Sequence, residues 1–111
     1  MKNPIVSGCI VTHNNMRTIK DTLDTIFEYT KDVDFTLYVV DNLSTDGTPD
    51  FIKKNYPQVK VIEPMINDGF GSGHNVVIDK IKSDYHLVIN PDIILKNNVI
   101  KDIVDFIESH K

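Results

Sequence analysis

One pattern, repeated three times, constrains this chain more than any other. A short apolar run rich in β-formers stops abruptly at side chains that carry oxygen and nitrogen. Ile10-Val11-Thr12-His13-Asn14-Asn15, Val39-Val40-Asp41-Asn42-Leu43-Ser44 and Leu87-Val88-Ile89-Asn90-Pro91-Asp92 all have this form. Apolar runs without strict alternation belong to strands covered on both faces, as in parallel sheets. Between the runs lie helical periodicities. Ile19, Leu23, Ile26 and Phe27 form one stripe of a helix over 17–29, with Lys20, Asp21, Asp24 and Glu28 on the other side. The spacing predicts strands over 5–12, 35–41, 59–62 and 85–90. Further helices are predicted from Thr48 to just before Pro57, over 71–82, and over 97–109. Thr48 is expected as the N-cap of the second helix, with Pro49 at its first helical position. The last helix is expected to bury Ile100, Ile103, Val104 and Ile107.

Strict β-α alternation implies a parallel sheet with right-handed crossovers. The expected fold is therefore α/β, a Rossmann-like three-layer α/β/α arrangement with a mainly parallel sheet in the order 3-2-1-4 and helices on both faces. In such sheets ligands bind beyond the carboxyl ends of the strands, so the three polar tips mark the candidate site. The 111 residues suffice for one domain, 1–111. A net charge of −4 supplies no basic field for nucleic acid. No apolar stretch reaches membrane-spanning length. The single cysteine, Cys9, lies inside an apolar run, reads as a buried small hydrophobe, and suits a reducing compartment. The chain stops directly after the last predicted helix, so it is expected to be the front part of a longer protein.

Four segments could carry chemistry, and each has a plainer alternative. In Asn90-Pro91-Asp92, Pro91 ends the ladder and fixes two polar side chains at a bend. One carboxylate beside a neutral oxygen donor suits a hard divalent cation completed by phosphate and water, but the same residues also make an ordinary capped turn. Asp41-Asn42 offers an acceptor, and an acceptor with a donor, to the N3–H and carbonyls of uracil or thymine. Alone, it is equally an Asx-turn closing a strand. Asn67-Asp68-Gly69-Phe70-Gly71-Ser72-Gly73-His74-Asn75 lets backbone approach an anion at a helix start, although its spacing is not the dinucleotide fingerprint. A Gly-rich loop without a ligand reads the same way. Thr12-His13-Asn14 could reach a base or ribose, or could simply be exposed polar residues. There is no Cys/His metal spacing and no serine nucleophile elbow.

Taken together, these segments resemble the nucleotide-sugar-binding half of inverting glycosyltransferases of family 2, which have the GT-A fold. Val11-Thr12-His13-Asn14 is similar to the family's Val-Thr-aromatic-Asn opening. Val40-Asp41-Asn42-Leu43-Ser44-Thr45-Asp46-Gly47-Thr48 is similar to its Val-Asp-Asp/Asn-x-Ser-Thr-Asp-Gly-Thr segment. The 67–75 loop is similar to that of rhamnosyltransferase-like members, and Asn90-Pro91-Asp92 stands where the family carries Asp-x-Asp. The resemblance implies donor contacts at Thr12, His13, Asn14, Asp41, Asn42, Gly69, Gly71, Asn75, Asn90 and Asp92, with a UDP- or dTDP-sugar as donor. Because Asn90 replaces the first Asp, Asp92 alone is implied as the carboxylate for Mn²⁺ or Mg²⁺. Asn42 replaces the second Asp of the nucleotide pair, which leaves the base contact open between Asp41 and Asn42.

The resemblance also implies inverting transfer to a sugar, lipid-linked or protein acceptor, in cell-surface polysaccharide synthesis. The catalytic base and acceptor region are expected beyond Lys111. The implied location is cytoplasmic, or peripheral at the inner membrane face in a full-length protein. Two other readings compete. One is a stand-alone nucleotide-binding regulatory module without transfer activity. The other is a nucleotidyltransferase, which expects a glycine-rich basic loop after the first strand, where this chain reads Thr12-His13-Asn14-Asn15-Met16-Arg17.

Overall fold

The computed structural model describes residues 4–63 and 82–110. Four parallel strands form one sheet: β1 (Ile5–Thr12), β2 (Asp34–Asp41), β3 (Lys60–Ile62) and β4 (Tyr85–Ile89), in the order β3-β2-β1-β4. The expected order and direction are both found. Around the sheet run α1 (Met16–Glu28), α2 (Thr48–Asn55) and α3 (Val99–Ser109). Each observed element starts or ends within two residues of its expected limits. The helix expected over 71–82 lies outside the described residues.

Strand alternation sends Val6, Gly8 and Ile10 of β1 to one face and Cys9 and Val11 to the other. On the first face Ile10, Leu37, Val39 and Ile89 pack with Ile19, Leu23 and Ile26 of α1, Ile52 of α2, and the nearby Tyr56 and Val59. Val6 packs on that same face with Ile100 and Val104 of α3. All three described helices therefore share one side of the sheet. Gly8 is required by the close approach there: a Cβ would sit 2.9 Å from Ile89 Cδ1 and 3.0 Å from Phe35 Cζ. Cys9, Val11 and Val40 form a separate buried cluster on the opposite face, with Tyr38 and Ile62 against it.

Burial pushes the Cys9 thiol up to about 12. A neutral, buried thiol is a poor nucleophile. Cys9 is therefore expected to react with a disulfide reagent such as DTNB only in denaturant, and rapid stoichiometric labelling of the native chain would contradict its placement.

Two local expectations are corrected. Ile103 and Ile107 are 44% and 39% exposed, while Ile100 and Val104 are buried. The apolar arc of α3 is wider than the strip the sheet covers, and periodicity cannot tell which part of a wide arc meets a neighbour. Thr48 is not the N-cap of α2. Gly47 holds that position with φ 88°, and the Thr48 hydroxyl donates instead to the Asp46 carboxylate.

Candidate functional site

The polar tips of β1 and β2 meet at the carboxyl edge of the sheet. Register places Thr12 beside Asp41, and the Thr12 hydroxyl donates to Asp41 Oδ1 at 2.6 Å. Both residues are buried, Asp41 at 2% exposure. The same Oδ1 accepts from the Ser44 hydroxyl at 2.6 Å, and Oδ2 accepts from the Ser44 N–H at 2.9 Å. The carboxylate thus closes an Asx-type turn just past its own strand. Leu43, inside that turn, has φ 56° and is 44% exposed. A left-handed leucine costs about 1 kcal/mol or more, and such conformations concentrate at functional sites.

The β1–α1 and β2–α2 loops are laced together. The Asn42 N–H donates to the Thr12 carbonyl at 2.7 Å. His13 Nδ1 lies 2.5 Å from the Asn42 carbonyl. The Asn14 N–H donates to the Ser44 hydroxyl at 2.8 Å, and Asn14 Oδ1 accepts from the Thr45 N–H at 2.7 Å. Asn14 needs φ 55° to make this exchange, a conformation that asparagine tolerates better than most residues. Asn42 is buried, whereas His13 and Asn14 are exposed.

Asp46 ties the two helix starts to one carboxylate. Its Oδ2 accepts the Met16 N–H of α1 at 3.1 Å, and its Oδ1 accepts the Thr48 N–H of α2 at 3.1 Å. A carboxylate at two helix N-termini satisfies amides that have no partner within the helix and opposes both positive dipole ends. The Thr48 hydroxyl, above all, holds the Asp46 carboxyl below the usual carboxylate range; desolvation opposes it, and the Met16 and Thr48 amides add smaller lowering effects. A lowered folded value means stabilisation that is present above the unfolded value near 3.8 and lost as pH falls through the folded one. Asp46→Ala is accordingly expected to lower Tm by a few degrees at pH 7, with the gap to wild type narrowing as pH falls below the unfolded value near 3.8. A gap independent of pH would contradict this role.

The third tip stands at β4. Register pairs Ile89 with Ile10, two residues short of Thr12. Beyond it Asn90 and Asp92 are exposed. The Pro91 carbonyl is gripped by α1, accepting from the Thr18 hydroxyl at 3.2 Å and the Thr22 hydroxyl at 3.0 Å. The Leu95 N–H donates to Thr25 Oγ1 at 3.0 Å. A row of α1 threonines thus holds the turn that carries Asp92. Gly69, Gly71 and Asn75, expected donor contacts, lie outside the described residues. Ser44 and Asp46, which the sequence places in the 40–48 segment but not among the implied donor contacts, contribute the loop-fixing hydrogen bonds. Their signal was the Asp-x-x-Ser-x-Asp spacing, which matches an Asx-turn followed by a helix start.

Among the described residues no group of three or more His, Cys, Asp or Glu side chains is placed to hold a metal. One exposed carboxylate beside an asparagine fits a cation that arrives with a diphosphate and water, and does not fit a free-standing metal centre.

A family model described as "Glycosyl transferase family 2" matches residues 7–111. The chain is 31% identical over 104 residues to the dTDP-rhamnosyl transferase RfbG of Shigella flexneri, covering 86% of this chain and 36% of that protein. Among solved structures, Staphylococcus aureus TarS 1–349 in complex with UDP-GlcNAc is 26% identical with a TM-score of 0.82, over 96% of this chain and 32% of that one. A mannosyltransferase from Pyrobaculum calidifontis, in complex with GDP-Man and Mn²⁺, shares the fold at TM-score 0.81 and 22% identity, over 97% of this chain and 32% of that one. The chain thus spans well under half the length of the curated relatives it matches.

Proposed function

The chain belongs to glycosyl transferase family 2, and from that membership we infer that residues 1–111 are the donor-binding part of an inverting glycosyltransferase that takes a UDP- or dTDP-sugar. The observation that carries this reading is the buried Thr12–Asp41 pair, set between two laced loops at the carboxyl edge of the sheet. It makes a rigid polar wall where a nucleoside would rest against strand tips. The fit of RfbG, a dTDP-rhamnosyl transferase, and of TarS with UDP-GlcNAc supports a pyrimidine nucleotide.

In this reading Asp41 and Asn42 form the nucleoside end of the site. Gly69, Gly71 and Asn75 approach the donor, and Asn90 and Asp92 stand at its diphosphate end. Asp92, with Asn90 beside it, would hold Mn²⁺ or Mg²⁺, whose charge would offset that of the nucleotide diphosphate as it leaves. Inversion requires a base within hydrogen-bond reach of the acceptor hydroxyl. Asp41 and Asp46 are committed to the loops and Asp92 to the diphosphate side. None of these three is left to act as that base, and the whole protein would act in polysaccharide synthesis at the cytoplasmic side. No described helix is long and apolar enough to cross a membrane.

NMR shift mapping with UDP, dTDP and GDP, each with Mn²⁺, tests the reading. Weak binding of UDP or dTDP is expected, with shifts centred on Thr12, Asp41, Asn42 and Asp92. An absence of binding at millimolar nucleotide, or shifts located elsewhere, would overturn it.

A further inference from the structure

Three threonines of α1, at 18, 22 and 25, lie on one stripe of the helix and all reach the turn after β4. A threonine hydroxyl in a helix ordinarily turns back to a carbonyl three or four positions earlier. Thr25 does so, and Thr30 just past the helix, donating to the Thr22 and Ile26 carbonyls at 3.1 and 2.8 Å. Thr18 and Thr22 do not. Both donate to the Pro91 carbonyl, at 3.2 and 3.0 Å, across 73 and 69 positions of sequence. Thr22 is 0% exposed, so its hydroxyl needs a partner inside the protein, and it takes a distant carbonyl over one in its own helix. Pro91 has no N–H by which to anchor its turn. Its carbonyl is the handle of the bend between Asn90 and Asp92, and α1 grips it. The start of α1 is fixed elsewhere: the Met16 N–H donates to Asp46 Oδ2 at 3.1 Å, in the loop that follows Asp41 and Asn42. One helix thus spans from that loop to the turn of Asp92.

We propose that Thr18 and Thr22 are positioning residues for Asp92, their hydroxyls on the Pro91 carbonyl fixing that carboxylate at a set span from the Asp41–Asn42 loop. The inference rests on the donor-binding reading above and gives it a preorganising device. Asp92 is exposed, at a bend beyond the last ladder pair of β4. A free bend would have to be ordered when a cation and a nucleotide diphosphate arrive, and that ordering subtracts from affinity. With one carboxylate in place of two, no second charged ligand makes up the loss. Two hydroxyls on one carbonyl order the bend during folding, before any ligand is present.

The test is made on the 111-residue chain with UDP and Mn²⁺. The double variant Thr18→Val, Thr22→Val keeps the shape of both side chains and removes both hydroxyls. Its UDP affinity in chelator is expected to match wild type, while the gain in affinity on adding Mn²⁺ falls by about fivefold. Without metal or nucleotide, the ¹⁵N order parameter of the Asp92 amide is expected to drop from about 0.85 in the wild type to below about 0.6 in the variant. The double variant Thr18→Ser, Thr22→Ser keeps the hydroxyls and is expected to restore both readings. Thr18→Val alone, at a half-buried position, repeats the test with a smaller loss should the double valine variant unfold. An unchanged Mn²⁺ gain, or an Asp92 amide as rigid as in the wild type, overturns this inference alone. An equal loss of UDP affinity with and without Mn²⁺ marks a merely structural role and overturns it too. A wild type that binds UDP no better with Mn²⁺ than with chelator overturns the cation role of Asp92, and this inference with it. No UDP binding by the wild type overturns the donor-binding reading itself.

Discussion

Asp41→Ala is expected to lower the free energy of unfolding by about 3 kcal/mol, read as a fall in the urea midpoint and a drop in Tm of roughly 15 °C. The carboxylate is 2% exposed and accepts from the Thr12 hydroxyl, the Ser44 hydroxyl and the Ser44 N–H. Alanine strands all three donors, two of them in a site with little access to water. Hydrogen bonds to a charged group contribute more than neutral ones, and orphaned buried donors cost more still. Asp41→Asn is expected to cost only about 1 kcal/mol. Its amide oxygen can still accept the Ser44 N–H, and its NH₂ can donate to the two hydroxyls, which rotate to accept. The contrast between the two variants is the diagnostic. An alanine variant within 1 kcal/mol of wild type would mean that the Asp41 network contributes little and that the loop is held elsewhere.

Asp92 is expected to behave in the opposite way, with no effect on folding and a large effect on cation-linked binding. It is exposed on a turn whose backbone is held independently by Thr18, Thr22 and Thr25 of α1. Both Asp92→Ala and Asp92→Asn are therefore expected to melt within a degree or two of wild type. For the wild type, UDP or dTDP is expected to bind at least tenfold more tightly with Mn²⁺ than with chelator. In either variant that difference should vanish, because a neutral amide keeps the shape and loses the charge that attracts a hard cation. Mn²⁺ without nucleotide should bind only weakly, since one carboxylate supplies too few ligands. Calorimetry with and without nucleotide reads all of these quantities. Unchanged Mn²⁺ dependence in both variants would make Asp92 a turn residue and no more.

The amino-acid sequence by itself determined the element order, the parallel sheet and its 3-2-1-4 arrangement. Apolar runs at Val6–Val11 and Leu37–Val40 are too uniform for a half-exposed strand, and the intervening helices permit only crossover connections. It also determined that polar side chains gather at the strand ends, because Thr12, Asp41 and Asn90 follow their apolar runs without a break. Tertiary structure alone decided what those polar groups do. The partnership of Thr12 with Asp41, of His13 with Asn42, and of Asp46 with the start of α1 depends on neighbours about thirty positions away in sequence. No local pattern encodes such pairings. The same limit explains α3: the periodicity of Ile100, Ile103, Val104 and Ile107 specifies an apolar arc, but only packing against Val6 selects Ile100 and Val104 for burial. Local propensity and hydrophobic period act through residues a few positions apart. A hydrogen bond or a buried contact is settled only when the sheet brings distant segments together.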